Sequence, residues 1–424
     1  MSAESARSLA LGVLVRVSRD QAYAAAALAQ ALTDAKLPLA ERALATEICY
    51  GVLRTEPYLR RRLERHTDLG RTDLEVLTIL LVGAYQLEFL DRVPAHAAVN
   101  ESVELARNVG SWASGFANAV LRKVAADADG RLPRDQAIWS SVPAWLRKRL
   151  ERDAGEDAAR ALLVPEKAPR PDLRQRPGRP LADELELEPT LLAGAYRFVG
   201  GGDPRQHVGF SRGDFVVQEL GSQTVAQLAA AGPGDRVLDA CAGRGQKTAC
   251  LLDAGADVVA TDLHEHKLRA LGEEMTRLGL AAETAVVDWT KPAPDALVGA
   301  FDVVLLDAPC TGTGTLRRRP EIMRRLGPDS ARELAELQVE LLRQTARCLR
   351  PGGRLIYSIC SVLRQEAEDV VAAVADVLVP SPLPVLGWPE LPPGATSLRL
   401  LPTATQSDGY FVAQLVRAQS SSPA

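Results

Sequence analysis

Apolar residues recur at helical spacing through the first 126 positions. Ala6 to Val17, Tyr23 to Leu32, Ala40 to Leu53 and Asp73 to Leu90 each present an apolar face. Val99, Val103 and Ala106 form a further stripe, as do Phe116, Val120 and Val124. No alternating run interrupts them, so residues 1–126 are expected to form an all-α domain. The rhythm lapses over 127–142, which reads as a linker. Pro143 to Arg152 opens a short amphipathic helix. Pro165, Pro169, Pro171, Pro177 and Pro180 then break up a basic stretch holding Arg170, Arg174, Arg176 and Arg179. Residues 143–217 are expected to be a small α+β module.

From residue 218 the pattern changes to short apolar runs alternating with amphipathic segments. Strands are expected at Arg236 to Ala240, Asp257 to Asp262, Glu283 to Asp288, Asp302 to Leu306, Arg354 to Cys360 and Tyr410 to Val416. Helices are expected near Thr248 to Ala254, Glu265 to Leu278, Arg332 to Leu349 and Gln365 to Leu378. Such alternation predicts a doubly wound, mostly parallel sheet over 218–424.

Composition adds little to this picture but excludes several classes. A chain of 424 residues is too long for one core. With 46% hydrophobic and 25% charged residues it reads as an ordinary globular protein. Aromatic residues are 4% of the chain, which argues against broad base-stacking platforms. The net charge of −4 leaves a locally basic face possible. One candidate is the cluster Arg54, Arg60, Arg61, Arg62 and Arg65, which reads either as a solvated helix face or as a phosphate-contacting patch.

No apolar run has the roughly 18 residues needed to span a bilayer, and Met-Ser-Ala-Glu-Ser is no secretory start. The cysteines at 49, 241, 250, 310, 348 and 360 form no Cys-x-x-Cys pair, and the histidines form no zinc pattern. A cytoplasmic monomer with reduced thiols, no metal and no membrane association is expected.

The chemistry concentrates at strand ends. Val303 to Leu306 is a continuous apolar run that stops at Asp307-Ala308-Pro309-Cys310-Thr311-Gly312. Pro309 has no backbone donor, so the strand should end there. A second strand, Arg354 to Ile359, runs into Cys360-Ser361. If these strands are neighbours, both cysteines and Asp307 face one cleft at the carboxyl edge of the sheet, where open α/β folds place ligands.

A third strand end runs Val237-Leu238-Asp239-Ala240-Cys241-Ala242-Gly243-Arg244-Gly245-Gln246-Lys247-Thr248. Its small residues let backbone approach a ligand closely. In register with Lys247-Thr248, a phosphate loop would need glycine at Cys241, and a Gly-x-Gly-x-x-Gly loop would need glycine at Thr248. Asp262 ends the next strand, where a carboxylate can accept ribose hydroxyls, and Asp288 the one after, where it can accept from an adenine amine. Three acids at strand ends (Asp262, Asp288 and Asp307) beside a Gly-rich loop point to a nucleotide-like cofactor.

The loop resembles motif I of S-adenosylmethionine-dependent methyltransferases, in the Asp-x-Cys-Ala-Ala-Pro-Gly-Gly-Lys-Thr form of the RNA cytosine-5 enzymes. It departs from that form at Gly243, Arg244 and Gln246. The resemblance implies S-adenosylmethionine as cofactor, bound by Cys241, Ala242, Gly243, Arg244, Gly245, Gln246, Lys247, Asp262, Asp288 and Asp307.

Cytosine C5 is a weak nucleophile toward a methyl group. A thiolate adding at C6 makes it electron-rich, and a carboxyl group at N3 supports that addition. Free cysteine titrates near ~8.5, so the site must favour the thiolate. The chemistry does not say which cysteine attacks. Asp307 to Gly312, together with Tyr357-Ser358-Ile359-Cys360-Ser361, resembles the paired-cysteine signature of the NOL1/NOP2/Sun family. The family usually has Thr at the position of Ile359. That resemblance implies Cys360 as nucleophile, Cys310 assisting release and Asp307 contacting the base ring.

Asn100 to Ala106 and Phe116 to Arg122 resemble the NusB-like RNA-binding fold. Gly314 to Leu326 resembles the Sun (RsmB) subgroup, which carries that fold in front and methylates cytosine in bacterial 16S rRNA. The whole resemblance implies a NusB-like domain, a small α+β RNA-binding module and a seven-stranded Rossmann-like methyltransferase sheet, acting on RNA. Arg317, Arg318 and Arg319 read either as a solvated basic turn or as phosphate contacts. Two other readings are a non-catalytic RNA-binding or ribosome-assembly protein with a degraded cofactor loop, and a small-molecule methyltransferase.

Overall fold

The computed structural model describes residues 5–418 apart from 167, 183 and 387–390, so Met1 to Glu4 of the Met-Ser-Ala-Glu-Ser stretch lie outside the described residues. The chain divides into two units, one of residues 1–147 with Leu316–Arg325 and one of 148–315 with 326–424.

The helical periodicity of the first unit becomes α1 (Ala6–Arg19), α2 (Ala24–Asp34), α3 (Leu39–Glu64), α4 (Leu74–Phe89), α5 (Ala95–Arg107) and α6 (Ser111–Ala126). Every residue from Val76 to Gln86 of α4 is buried, as its all-round apolar surface requires. The stretch read as a linker is not extended throughout: Arg134–Ser141 forms α7, with Ala137, Ile138 and Ser141 buried. Its weak apolar rhythm misleads because its end is also held by polar contacts. Tyr58 follows Pro57 within α3, and its N–H donates to Ser141 Oγ at 3.2 Å.

The basic cluster on α3 is largely committed internally. Arg62 is buried and pairs with Glu88 at 3.0 Å and Asp127 at 3.3 Å. Arg65 also meets Asp127 and Arg60 meets Glu56, while Arg54 donates to Arg317 O at 2.6 Å. Neither sequence reading of this cluster, solvated face or phosphate patch, describes buried Arg54 and Arg62.

Segment Leu316–Arg325 belongs to this unit and replaces a missing cap. Tyr23 at the head of α2 has no capping side chain, and buried Glu321 accepts from Ala24 N at 3.1 Å instead.

The second unit takes in α8 (Ala144–Ala154) from Lys148 onward and continues with α9 (Glu156–Leu163), then a four-stranded antiparallel sheet of order β2-β3-β1-β4. Its strands are β1 (Asp172–Gln175), β2 (Leu187–Pro189), β3 (Ala195–Phe198) and β4 (Phe215–Val217), with the short α10 (Val208–Ser211) before the last. Arg174 and Arg176 of the proline-broken stretch are buried and grip Asp253 at 2.7 and 2.8 Å.

The large sheet follows α11 (Leu220–Leu228). Its elements are β5 (Arg236–Asp239), α12 (Gln246–Asp253), β6 (Asp257–Asp262), α13 (Glu265–Leu278), β7 (Glu283–Val286), β8 (Phe301–Asp307), α14 (Ser330–Ala346), β9 (Leu349–Ile359), α15 (Glu368–Ala373), β10 (Leu378–Pro380), β11 (Ser397–Leu400), α16 (Pro402–Thr405) and β12 (Tyr410–Arg417). The order is β10-β12-β9-β8-β5-β6-β7, with β11 added on β12 as an eighth strand. The five strands from β9 to β7 are parallel, and β12 is antiparallel to β9. β9 starts earlier than its apolar run suggests, because a register shift opposite Phe301 and Val303 absorbs the Pro351-Gly352-Gly353 turn. The expected helix from Gln365 to Leu378 is broken into a 3-10 turn at Arg364–Glu366 and the six-residue α15. Among the described residues no helix is long and apolar enough to cross a membrane.

The strand order reverses between β5 and β8. A doubly wound sheet opens its crevice there, outside the carboxyl ends of the two strands.

Candidate active site

Three strands deliver the candidate chemistry. β5 ends in Asp239 and feeds the small-residue loop, β8 ends in Asp307, and β9 ends one residue before Cys360. The apolar runs explain why. Val303 to Leu306 and Leu355 to Ile359 are buried, so the first polar residues past each run fall at the rim. β8 and β9 pair in parallel with Asp307 opposite Ser358, and Ala308 N donates to Ser358 O at 2.9 Å. That register brings the following loops together.

Cys310 Sγ and Cys360 Sγ lie 3.4 Å apart, within sulfur hydrogen-bonding distance, and both are half-buried. The hydrogen bond with Cys360, burial, and the charges of Cys360 and Glu366 all push the Cys310 thiol well above its ordinary range. Asp307 stands between two donors: Lys247 Nζ at 2.6 Å and Ser358 Oγ at 2.8 Å. Burial works to lower the Lys247 ammonium's pKa, but Asp307 and Asp239 more than reverse this, so the lysine keeps its proton.

The loop after β5 turns sharply. Gly243 and Gly245 have φ of +57° and +83°, a region that favours glycine. A Cβ on Gly245 would strike Leu271, whereas one on Gly243 would meet open space. Gly243 N donates to Asp262 Oδ2 at 3.1 Å, and His264 N donates to Asp262 Oδ1 at 2.9 Å. Buried Asp262 therefore ties the loop to the start of α13. Arg244 is exposed, and Gln246 donates to Val217 O at 3.0 Å. Cys241 and Ala242 are half-buried, and burial raises the Cys241 thiol.

Asp288 does not end its strand. β7 stops at Val286, and Asp288 lies in the following turn, where Thr290 and Lys291 hold its carboxyl below the usual range. Trp289 beside it is buried, its indole N–H shared between Ala240 O at 2.7 Å and Thr261 Oγ1 at 3.0 Å. The structure thus bonds Asp307 to Lys247 at the end of the Gly-rich loop, sets Cys310 against Cys360, and ties the loop itself to Asp262.

Residues the sequence did not single out complete the site. Asp239 is buried, with Oδ2 accepting from Thr248 at 2.7 Å and Oδ1 without a protein partner. Burial lifts its carboxyl to about 6, against the opposing pull of Thr248 and Lys247. Glu366 lies buried beneath the two cysteines. Asp239 sits within the quoted motif, where its unpartnered oxygen could not be foreseen, whereas Glu366 carries no spacing signal. The two His rings at 264 and 266 are exposed, and no group of three metal-binding side chains occurs among the described residues.

The residues around the crevice fit a methyl-donor nucleotide: open space over Gly243, a buried acid at the end of β6, and an orphaned carboxylate oxygen on Asp239.

The chain is similar to known proteins over both units. A family model described as 16S rRNA methyltransferase RsmB/F matches residues 226–416, and the NusB family model matches residues 4–126. Ribosomal RNA small subunit methyltransferase B of Pseudomonas syringae pv. tomato is 34% identical over 406 residues, covering 90% of each chain. The protein of that name from Thermus thermophilus is 36% identical over 379 residues, covering 88% of each. Among solved structures, PH0851 matches with a TM-score of 0.84 over 98% of this chain and 99% of its own, at 21% identity. NSun6 from Pyrococcus horikoshii with SFG matches with a TM-score of 0.55 over 66% of this chain and 99% of its own, at 18% identity. At these identities the structural likeness is one of fold.

Proposed function

Because the chain belongs to the RsmB/F family of 16S rRNA methyltransferases, with a NusB-family domain at its head, we propose that it methylates C5 of a cytosine in small-subunit rRNA, from S-adenosylmethionine, through a covalent cysteine–C6 adduct. The observation that carries this reading is the 3.4 Å approach of Cys310 and Cys360 beside Asp307. Two thiols and a carboxylate at the switch point of a doubly wound sheet suit nucleophilic attack on a pyrimidine better than attack by a substrate's own heteroatom.

The residues that would hold the cofactor are Cys241 to Lys247, Asp262, Asp288 and Asp307, with Asp239 beneath the loop. When bound, S-adenosylmethionine supplies an electrophilic methyl carbon. The chain's own residues do the rest. Cys360 adds as thiolate to C6 of the cytosine, which loads electron density onto C5. Asp307, held between Lys247 and Ser358, contacts the ring edge and supports a proton at N3 during that addition. After methylation the C5 proton leaves to a base, the Cys360–C6 bond breaks, and Cys310 assists the departure. The helical unit and the 143–217 module serve as RNA-binding parts, and the chain acts as a monomer. Target exposure costs a few kcal/mol in paired RNA, so an unpaired or incompletely assembled segment suits the site best.

The test is methylation of undermethylated small-subunit RNA, followed by mapping of the modified base. A 5-methylcytosine at one position is expected. Methyl incorporation elsewhere on the base, or saturable RNA binding with no cofactor binding at all, would overturn the reading.

A further inference from the structure

The Glu366 carboxylate is fully buried and receives four donors. Thr311 N donates to Oε1 at 2.8 Å and Thr311 Oγ1 to Oε2 at 2.5 Å. Ser361 Oγ donates to Oε2 at 2.6 Å and Gln338 Nε2 to Oε1 at 3.1 Å. Thr311 directly follows Cys310, and Ser361 directly follows Cys360. One side chain therefore grips the residue next to each sulfur, although the two cysteines stand at the ends of different strands. Gln338 extends the grip by donating to Pro309 O at 2.8 Å, just before Cys310. Tyr357 braces it from below, its single hydroxyl proton shared between Glu366 O at 2.6 Å and Gln338 Oε1 at 3.0 Å.

An apolar residue would fill the same space without the desolvation penalty of a buried carboxylate, which runs to several kcal/mol. The carboxylate is satisfied from several sides at once, as such a group must be. We propose that Glu366 is a positioning residue of the two-cysteine centre, its carboxylate holding Thr311 and Ser361 together and so setting the separation of the Cys310 and Cys360 sulfurs. Burial raises the Glu366 carboxyl against the pull of its four donors, and its negative charge adds to the forces that keep the proton on Cys310.

The catalytic part of this inference rests on the methyltransferase reading above, whereas the geometric part does not. The experiment uses the full chain with Glu366→Ala and Glu366→Gln. It measures kcat and KM with undermethylated small-subunit RNA, together with the rate at which diamide joins Cys310 to Cys360, followed by peptide mass spectrometry. In that oxidation the two thiols lose two protons and two electrons to diamide.

Glu366→Ala is expected to lower kcat by about 100-fold, the effect of an ångström-scale misplacement, with KM changed less than about twofold. Disulfide formation should slow by about tenfold. Glu366→Gln, which keeps shape and part of the hydrogen bonding, should restore most of both. A folded Glu366→Ala protein with wild-type kcat and wild-type disulfide rate would overturn the proposal. If Glu366→Ala fails to fold, Thr311→Val and Ser361→Ala each remove one tether, and unchanged disulfide rates in both would overturn it equally. A slowed disulfide in a protein whose wild type makes no 5-methylcytosine would sustain the positioning role and remove the methyltransferase reading.

Discussion

Lys247 Nζ sits 2.6 Å from Asp307 Oδ2, so the lysine of the Gly-rich loop is bonded to the acid that ends β8. The loop and the cysteine strand pair are thereby joined by one ion pair. Lys247 is mostly buried and Asp307 about a third exposed.

Lys247→Met keeps the apolar stem and removes the charge. With Asp307 still partly hydrated, a stability loss of about 1–2 kcal/mol is expected, below the range for fully buried pairs. Activity should fall further, by about 10- to 100-fold in kcat, because Asp307 loses one of the two donors that orient it. Urea denaturation and steady-state kinetics of the same preparation check both.

The cysteine assignments separate in a denaturing gel. Cys360→Ala should give no methylated product and no protein–RNA adduct. Cys310→Ala should accumulate an adduct that survives denaturation, since addition proceeds and release does not. Full activity in Cys360→Ala would remove the mechanism.

Asp239 gives a pH dependence whose sign follows from its burial. Its carboxyl is raised from 3.8 to about 6, so between those values the folded chain holds a proton that the unfolded chain releases. Stability from this group therefore falls as pH rises from about 4 to 6, reaching a penalty on the order of 3 kcal/mol above pH 6. Asp239→Asn keeps an acceptor for Thr248 and removes the ionisation. It should raise the denaturation midpoint at pH 7.5 without cofactor, and the gain should vanish near pH 4.

Gly314 and Gly409 meet backbone to backbone beside the centre. Gly314 N donates to Cys360 O at 3.0 Å, and Gly409 N donates to Gly314 O at 2.8 Å. A Cβ on Gly314 would lie 2.0 Å from Gly409 O. Backbone on both sides leaves no side chain to yield, so Gly314→Ala should lower stability by more than about 2 kcal/mol. It should also lower kcat, because the Cys360 carbonyl loses its partner. Thermal unfolding and single-turnover methylation report the two effects.

The parallel sheet and both cysteine positions were legible because buried strands write continuous apolar runs, and the first polar residue past each run marks the crevice. Cys310 and Cys360 are 50 positions apart, yet each is placed by its own strand. Glu366 was not legible. It lies in a 3-10 turn with no periodicity, and its meaning depends on which loops converge above it. Arg62 misled in the opposite direction: in its run it reads as a solvated face or a phosphate patch, and only the fold shows Glu88 and Asp127 beside it. Arg174 and Arg176 stand in a proline-broken stretch that carries little signal, and only the fold shows Asp253, the acid they pair with. Asp288 was placed at a strand end because Val287 prolongs the apolar run past Val286, the last paired residue.

The helical unit is discontinuous along the polypeptide, and this bears on how it is made. Its last piece, with buried Ile322 and Met323 and the Glu321 oxygen that receives α2, is translated about 170 residues after α7. During synthesis the first 147 residues emerge with that end of α2 uncapped and must wait, at ordinary elongation speeds, for roughly ten to thirty seconds before the closing segment arrives. A nascent chain is therefore expected to be more open to proteases around Tyr23 until residue 325 has left the ribosome. A fragment ending at 147 keeps that immaturity permanently.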